Sequence, residues 1–189
     1  MTHLRPGARV CQNPGLTAPA RRTKVERMNA VFPGTFDPPT NGHLNLIERA
    51  SRIMDRVLVV VADNSQKKTV FSPAERHGFL VAMTSHLPNV EVFIWGKLIV
   101  DFAVEHGVKT ILRGVRAFTD FGYEFELSMV NKGINPSIET FLMPTDPRYF
   151  VLRSSAIKEL VQLECDISSM VPPVVETALK AKHDRGQLL

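Results

Sequence analysis

From Val57 to Ala62 the chain runs through Val57-Leu58-Val59-Val60-Val61-Ala62 with no polar side chain. Successive residues of a strand point to opposite faces of a sheet. A strand that is apolar at every position therefore needs cover on both faces, the mark of a parallel sheet under helices. A half-solvated antiparallel sheet is excluded at this point. The rest of the sequence supplies the cover, because short β-type runs alternate with helix-type segments.

The pattern predicts strands at 29–33, 57–62, 90–94, 110–112 and 140–143. Helices are expected between and after them. In the first, over 41–54, Leu44, Ile47, Ala50 and Met54 share one face. Ser72-Pro73-Ala74-Glu75 is a capping box with proline at the first helical position, so a helix runs to about Thr84. A helix over 98–106 stops at Gly107 and one over 123–132 at Gly133, and closing helices span 155–163 and 173–182. The expectation is an α/β fold: one Rossmann-like domain, a five-stranded parallel sheet with helices on both faces and C-terminal helices.

Charge separates a leader from this domain. Residues 1–27 hold Arg5, Arg9, Arg21, Arg22, Lys24 and Arg27 against Glu26 alone. The remainder carries 17 basic and 18 acidic residues, so the chain's net +4 belongs to the leader. A near-neutral domain gives no footprint for nucleic acid. Residues 1–27 are expected to be disordered; translation from a start upstream of Met28 and an organelle transit peptide are both compatible with them. Residues 28–183 form the expected domain and 184–189 a C-terminal tail. No apolar run approaches the ~20 residues of a membrane helix. Cys11 and Cys165 show no metal or redox spacing, which fits a reduced cytoplasmic setting.

In a parallel sheet, ligands bind beyond the carboxyl ends of the strands. The chain's chemistry gathers there. Gly34-Thr35-Phe36-Asp37-Pro38-Pro39-Thr40-Asn41-Gly42-His43 joins strand one to a helix start, where backbone N–H groups and the helix dipole suit an anion. The dipole should keep His43 neutral in the empty site and a polyphosphate should favour its charged form. Thr35 is a ligand candidate, while Asp37 reads as a turn residue. Lys67 follows strand two. Arg113 and Arg116 follow strand four, and their guanidinium forks suit phosphate oxygens or ion pairs with Asp120 and Glu124. Arg153-Ser154-Ser155 heads a late helix. No covalent triad, P-loop or Gly-x-Gly-x-x-Gly is legible, and no ligand spacing suggests a metal held by protein side chains alone.

Gly34-Thr35-Phe36-Asp37-Pro38 with Thr40-Asn41-Gly42-His43 resembles the Thr-x-Gly-His signature of the nucleotidyltransferase superfamily. Ser65-Gln66-Lys67-Lys68, Ile111 through Arg116, Asp120 through Glu124 and Phe141-Leu142-Met143-Pro144 resemble bacterial phosphopantetheine adenylyltransferases, over about Met28 to Ala181. The resemblance implies transfer of the adenylyl group of ATP to 4′-phosphopantetheine, with Mg²⁺, in a homohexamer. It implies that His43 stabilises the transition state and that Thr35, Lys67, Ile99 and Arg113 bind phosphopantetheine. It assigns ATP to Thr35, Phe36, His43, Gly114, Val115, Arg116, Glu124, Tyr149, Phe150, Val151, Leu152, Arg153, Ser154 and Ser155. The family often shows Ser-Ser-Ser where this chain has Arg153-Ser154-Ser155. Rival readings are a sister enzyme with another phosphate acceptor and a non-catalytic ATP-binding module.

Overall fold

The computed structural model describes residues 28–64 and 66–188, so the expectation for residues 1–27 lies outside the described residues. The strands are β1 (Asn29–Gly34), β2 (Arg56–Ala62), β3 (Val90–Trp95), β4 (Thr110–Val115) and β5 (Glu139–Pro144). The helices are α1 (Asn41–Ile53), α2 (Pro73–Thr84), α3 (Ile99–Glu105), α4 (Phe118–Ile134), α5 (Ser154–Gln162) and α6 (Pro173–Asp184), with a 3-10 turn at Pro147–Tyr149. All strand pairs are parallel, in the order β3-β2-β1-β4-β5. The expected five-stranded α/β architecture is the one observed.

The apolar run explains the layering. Val57, Val59 and Val61 enter the core under α1, packed with Leu46, Ile47 and Ala50. Leu58 and Val60 enter the opposite core with Val100, Phe102 and Ala103 of α3. Burying one such side chain contributes about 1.5–3 kcal/mol relative to leaving it exposed, so neither face can be left to water. A third core joins α5 and α6 to Phe71 and Phe79. Leu188 is buried in that core, and Gln187 donates its N–H to the Lys182 carbonyl. The segment expected as a tail thus packs as far as residue 188.

Boundaries moved where side-chain signals were missing. The Ser72 box is present, with the Glu75 N–H on Ser72 Oγ at 3.2 Å and the Ser72 N–H on Glu75 Oε2 at 2.7 Å. Gly107, at φ 65°, ends α3 as expected. The helix α4 instead starts five residues earlier than its pattern suggested, behind Ala117, which offers no side-chain cap. It runs through Gly133, which adopts no left-handed conformation there. Strand β4 continues through Arg113-Gly114-Val115, so Arg113 lies within the strand and not beyond it. Gly114 is required at that point: a Cβ there would meet Leu46 Cδ1 of α1 at 2.4 Å.

The chain adds β2 and β3 on one side of β1, then crosses to place β4 and β5 on the other. Strand order reverses between β1 and β4, the place where open α/β sheets form a ligand crevice.

Candidate active site

A cleft of about 560 Å³ opens over the ends of β1 and β4. Its floor is the turn after β1. Phe36 sits at φ 51° and its buried ring folds back over Gly34, where a Cβ would stand 2.7 Å from Phe36 Cζ. Gly34 is therefore fixed by a close approach. The Phe36 ring meets the His43 ring edge-on, with centroids 5.1 Å apart.

His43 is built into the start of α1. Thr40 is the N-cap, and its Oγ1 accepts the His43 N–H at 3.4 Å. In return the Thr40 N–H donates to His43 Nδ1 at 3.0 Å. This is a capping box with histidine in the place usually taken by Glu or Gln. An acceptor Nδ1 must be unprotonated, so the neutral ring carries its proton on Nε2, away from the cap. The pKa of His43 is lowered to about 4, by burial first and then by the charges of Arg116 and Arg113. A neutral imidazole in the empty site was expected from the helix dipole; burial and the two arginines account for it here.

The basic groups lining the cleft besides His43 are Lys67, Lys68, Arg113, Arg116, Arg153 and Lys158, against the carboxylates of Asp37 and Glu124. Arg113 donates from Nε and Nη2 to the two oxygens of Glu124 at 2.6 and 2.7 Å, and from Nη1 to the Pro33 carbonyl at 2.6 Å. Both readings of Arg113 thus meet: it is ion-paired and it lines the cleft. A guanidinium has more donors than these partners use, so the pair need not break to meet an anion. Arg116 donates to Asp120 at 2.9 Å and to the Leu152 carbonyl at 3.0 Å. Lys67 and Lys68 are exposed and, among the described residues, form no ion pair.

On the far rim α5 begins behind Arg153, again with no side-chain cap and no acidic residue in its first turn. Ser154 Oγ donates to the Pro38 carbonyl at 2.8 Å, while Ser155 stays exposed. The first turn of α1 is also free of acids. Two helix starts therefore meet the cleft without carboxylates, which favours anions.

The cleft brings together Thr35, Phe36, His43, Lys67, Arg113, Gly114, Arg116, Glu124, Tyr149, Leu152, Arg153, Ser154 and Ser155. It does not include Ile99, Val115, Phe150 or Val151. Ile99, like Phe93 and Trp95, packs against the core that contains α3, and Val151 lines a separate apolar pocket with Leu160 and Leu163. Sequence reasoning missed Lys68, Thr69, Thr145 and Lys158 in the lining. It also missed Arg76, a fully buried guanidinium that donates to the carbonyls of Thr35 (2.6 Å), Phe71 (3.0 Å) and Ala62 (3.2 Å). An arginine on an otherwise apolar helix face was the available signal.

Among the described residues no group of three or more His, Cys, Asp or Glu side chains stands together as a cation site. The two cleft carboxylates are engaged, Asp37 by Lys158 and backbone N–H groups and Glu124 by Arg113.

A family model described as cytidylyltransferase-like matches residues 31–160, which span the whole cleft. The chain belongs to the cytidylyltransferase-like family. It is 45% identical, over 82% of its length and 97% of the relative's, to a phosphopantetheine adenylyltransferase of Staphylococcus carnosus (strain TM300). Among solved structures, a putative nicotinate-nucleotide adenylyltransferase from Vibrio parahaemolyticus superimposes with a TM-score of 0.63 at 21% identity, covering 86% of this chain and 98% of that one. At that identity the likeness speaks for the fold alone. Within this cytidylyltransferase-like chain, the Thr40–His43 box and the β1–β4 crevice fall inside the matched segment.

Proposed function

We propose that the chain transfers the adenylyl group of ATP to 4′-phosphopantetheine, giving dephospho-coenzyme A and pyrophosphate. The observation that carries this reading is an imidazole at a helix start whose Nδ1 accepts the Thr40 N–H, set between two cationic walls whose carboxylates, Asp37 and Glu124, are taken up by protein donors. The acceptor phosphate needs no base, because its second pKa of about 6 leaves it mostly dianionic near neutral pH. One of its oxygens attacks the α-phosphorus in line, and the bond from that phosphorus to pyrophosphate breaks. The protein's task is to bring two anions together and stabilise the charge that builds between them.

In this reading His43 Nε2–H donates to the developing charge on the α-phosphate. Thr35, Lys67 and Arg113 hold the acceptor. Gly114, Arg116, Glu124, Tyr149, Leu152 and Arg153 through Ser155 receive ATP, with the α5 start facing its phosphates. The roles carried over to Ile99, Val115, Phe150 and Val151 have no support from the cleft lining. Mg²⁺ belongs to the nucleotide: it would be held by phosphate oxygens and would offset their charge, since the two carboxylates lining the cleft, Asp37 and Glu124, are already engaged by protein donors.

The test is pyrophosphate release from ATP with 4′-phosphopantetheine, run beside nicotinate mononucleotide and glycerol phosphate, on the full chain and on a chain starting at Met28. Release with phosphopantetheine alone supports the reading. Release with another acceptor replaces it with a sister activity, and ATP binding without release replaces it with a binding module.

Assembly forms part of the proposal. On α4, Phe118, Phe121, Tyr123, Phe125, Met129 and Val130 are all exposed, and Phe118, Phe121 and Phe125 stack along the helix. Contiguous apolar surface of this kind marks an interaction face. We assign it to further copies of the chain, in a homohexamer, measurable by light scattering. No helix among the described residues is long and apolar enough to cross a membrane; a cytoplasmic location is proposed from the activity.

A further inference from the structure

One carboxylate ties together parts of the cleft that are remote in sequence. Asp37, in the turn after β1, is 6% exposed. Its Oδ1 accepts the Phe71 N–H at 3.0 Å, and its Oδ2 accepts the Val70 N–H at 3.1 Å and Lys158 Nζ of α5 at 3.1 Å. Both oxygens are engaged by protein donors, so the group lines the cleft without being free to bind in it. Val70 and Phe71 directly follow Lys67-Lys68-Thr69, which do line the cleft and carry its unpaired lysines. Arg76 reinforces the same junction from below, joining the carbonyls of Thr35 and Phe71. The turn and the lysine loop are thus tied once by an anion through amide donors and once by a cation through carbonyl acceptors.

We propose that Asp37 is a positioning residue that sets the Lys67–Thr69 segment relative to His43, while its partner Lys158 ties the start of α5 to the same point. The assignment of substrates to the two sides rests on the reading given above. The chemistry requires a carboxylate. Asn at this position has one acceptor oxygen, and its NH₂ would face an N–H donor. Removing Lys158 leaves both amide bonds to Asp37 in place. The two halves of one ion pair are therefore separable. Loss of the acid should disturb the lysine loop, and loss of the base should disturb α5. A pair that only adds stability would give the same result from either side.

The experiment compares Asp37→Asn, Lys158→Gln and the wild-type full chain by amide hydrogen exchange and by steady-state pyrophosphate release. In Asp37→Asn the exchange of segment 66–71 is expected to rise at least tenfold. KM for phosphopantetheine is expected to rise about tenfold or more, with KM for ATP changed less than threefold. In Lys158→Gln exchange at Val70 and Phe71 stays near wild type and KM for ATP rises instead. Equal changes in both KM values from the two variants, or unchanged exchange over 66–71 in Asp37→Asn, overturns the proposal. Asp37→Glu, one methylene longer but still a carboxylate, replaces Asp37→Asn if that variant does not fold; the same pattern at smaller amplitude is expected. Wild type that releases no pyrophosphate with phosphopantetheine defeats the substrate reading alone. The exchange arm then decides: acceleration confined to 66–71 supports the positioning role, and none overturns it.

Discussion

The two walls of the cleft are held by different chemistry. The wall after β1 and β2 is fixed by buried ionic groups mainly on backbone partners: Arg76 on four carbonyls, Asp37 on two amides and Lys158. The wall after β4 is held chiefly by side-chain pairs, Arg113 with Glu124 and Arg116 with Asp120, each arginine adding one bond to a backbone carbonyl. Backbone partners cannot swing away, so the first wall keeps its shape unless the loops themselves unfold. Side-chain partners can turn toward a phosphate. The first wall is a fixed frame that carries the exposed Lys67 and Lys68, and the second carries its charge on arginines already paired with carboxylates.

Four changes would break or sharpen that contrast. The largest effect is expected from Arg76→Met, which withdraws the donors from the Thr35, Ala62 and Phe71 carbonyls. A buried acceptor left without its donor costs about 1–3 kcal/mol, and several are exposed to that loss at once, read as a lowered midpoint in urea. Next, His43→Ala should lower kcat ~10²–10³-fold, as loss of a transition-state donor does, with little change in ATP affinity by calorimetry. Turnover within a few-fold of wild type would remove His43 from the mechanism. Lys67→Ala should weaken phosphopantetheine about tenfold, the low end for a hydrogen bond to a charged group, and leave ATP binding near normal. The smallest effect belongs to the second wall: Asp120→Ala should cost no more than ~1 kcal/mol of stability, since the pair is partly solvated.

The pH dependence tests the first wall from another side. The imidazole of His43 titrates near pH 4 in the folded chain and near 6.5 when unfolded. Between those values the unfolded chain binds the extra proton, so stability rises with pH across the window. It is complete above about 6.5 and falls away as pH drops through about 4. His43→Gln, which can still close the capping box, should lack this component. NMR titration of the ring in the free protein checks the value directly.

Features with local causes were legible in the sequence. The unbroken β2 run showed burial on both faces, and the Ser72 box and Gly107 marked helix ends because capping involves neighbours. The passage from strand to turn to helix start between Gly34 and His43 was legible for the same reason. What stayed hidden depends on distant partners. Lys158 meets Asp37 across 121 positions, and Arg76 meets Thr35 across 41. No local pattern encodes those encounters. The start of α4 was missed because Ala117 offers no cap to read. Arg113 showed its charge and a candidate partner in Glu124, but not its place within the strand, since β4 extends past Leu112.

The hydrogen bond from the Thr40 amide to His43 Nδ1 does two things at once. It satisfies a donor that the first turn of α1 would otherwise leave open, and it decides which ring nitrogen holds the proton. Helix initiation and tautomer selection are therefore a single event. A molecule that has closed this turn has no wrong protonation isomer to correct before meeting its substrate.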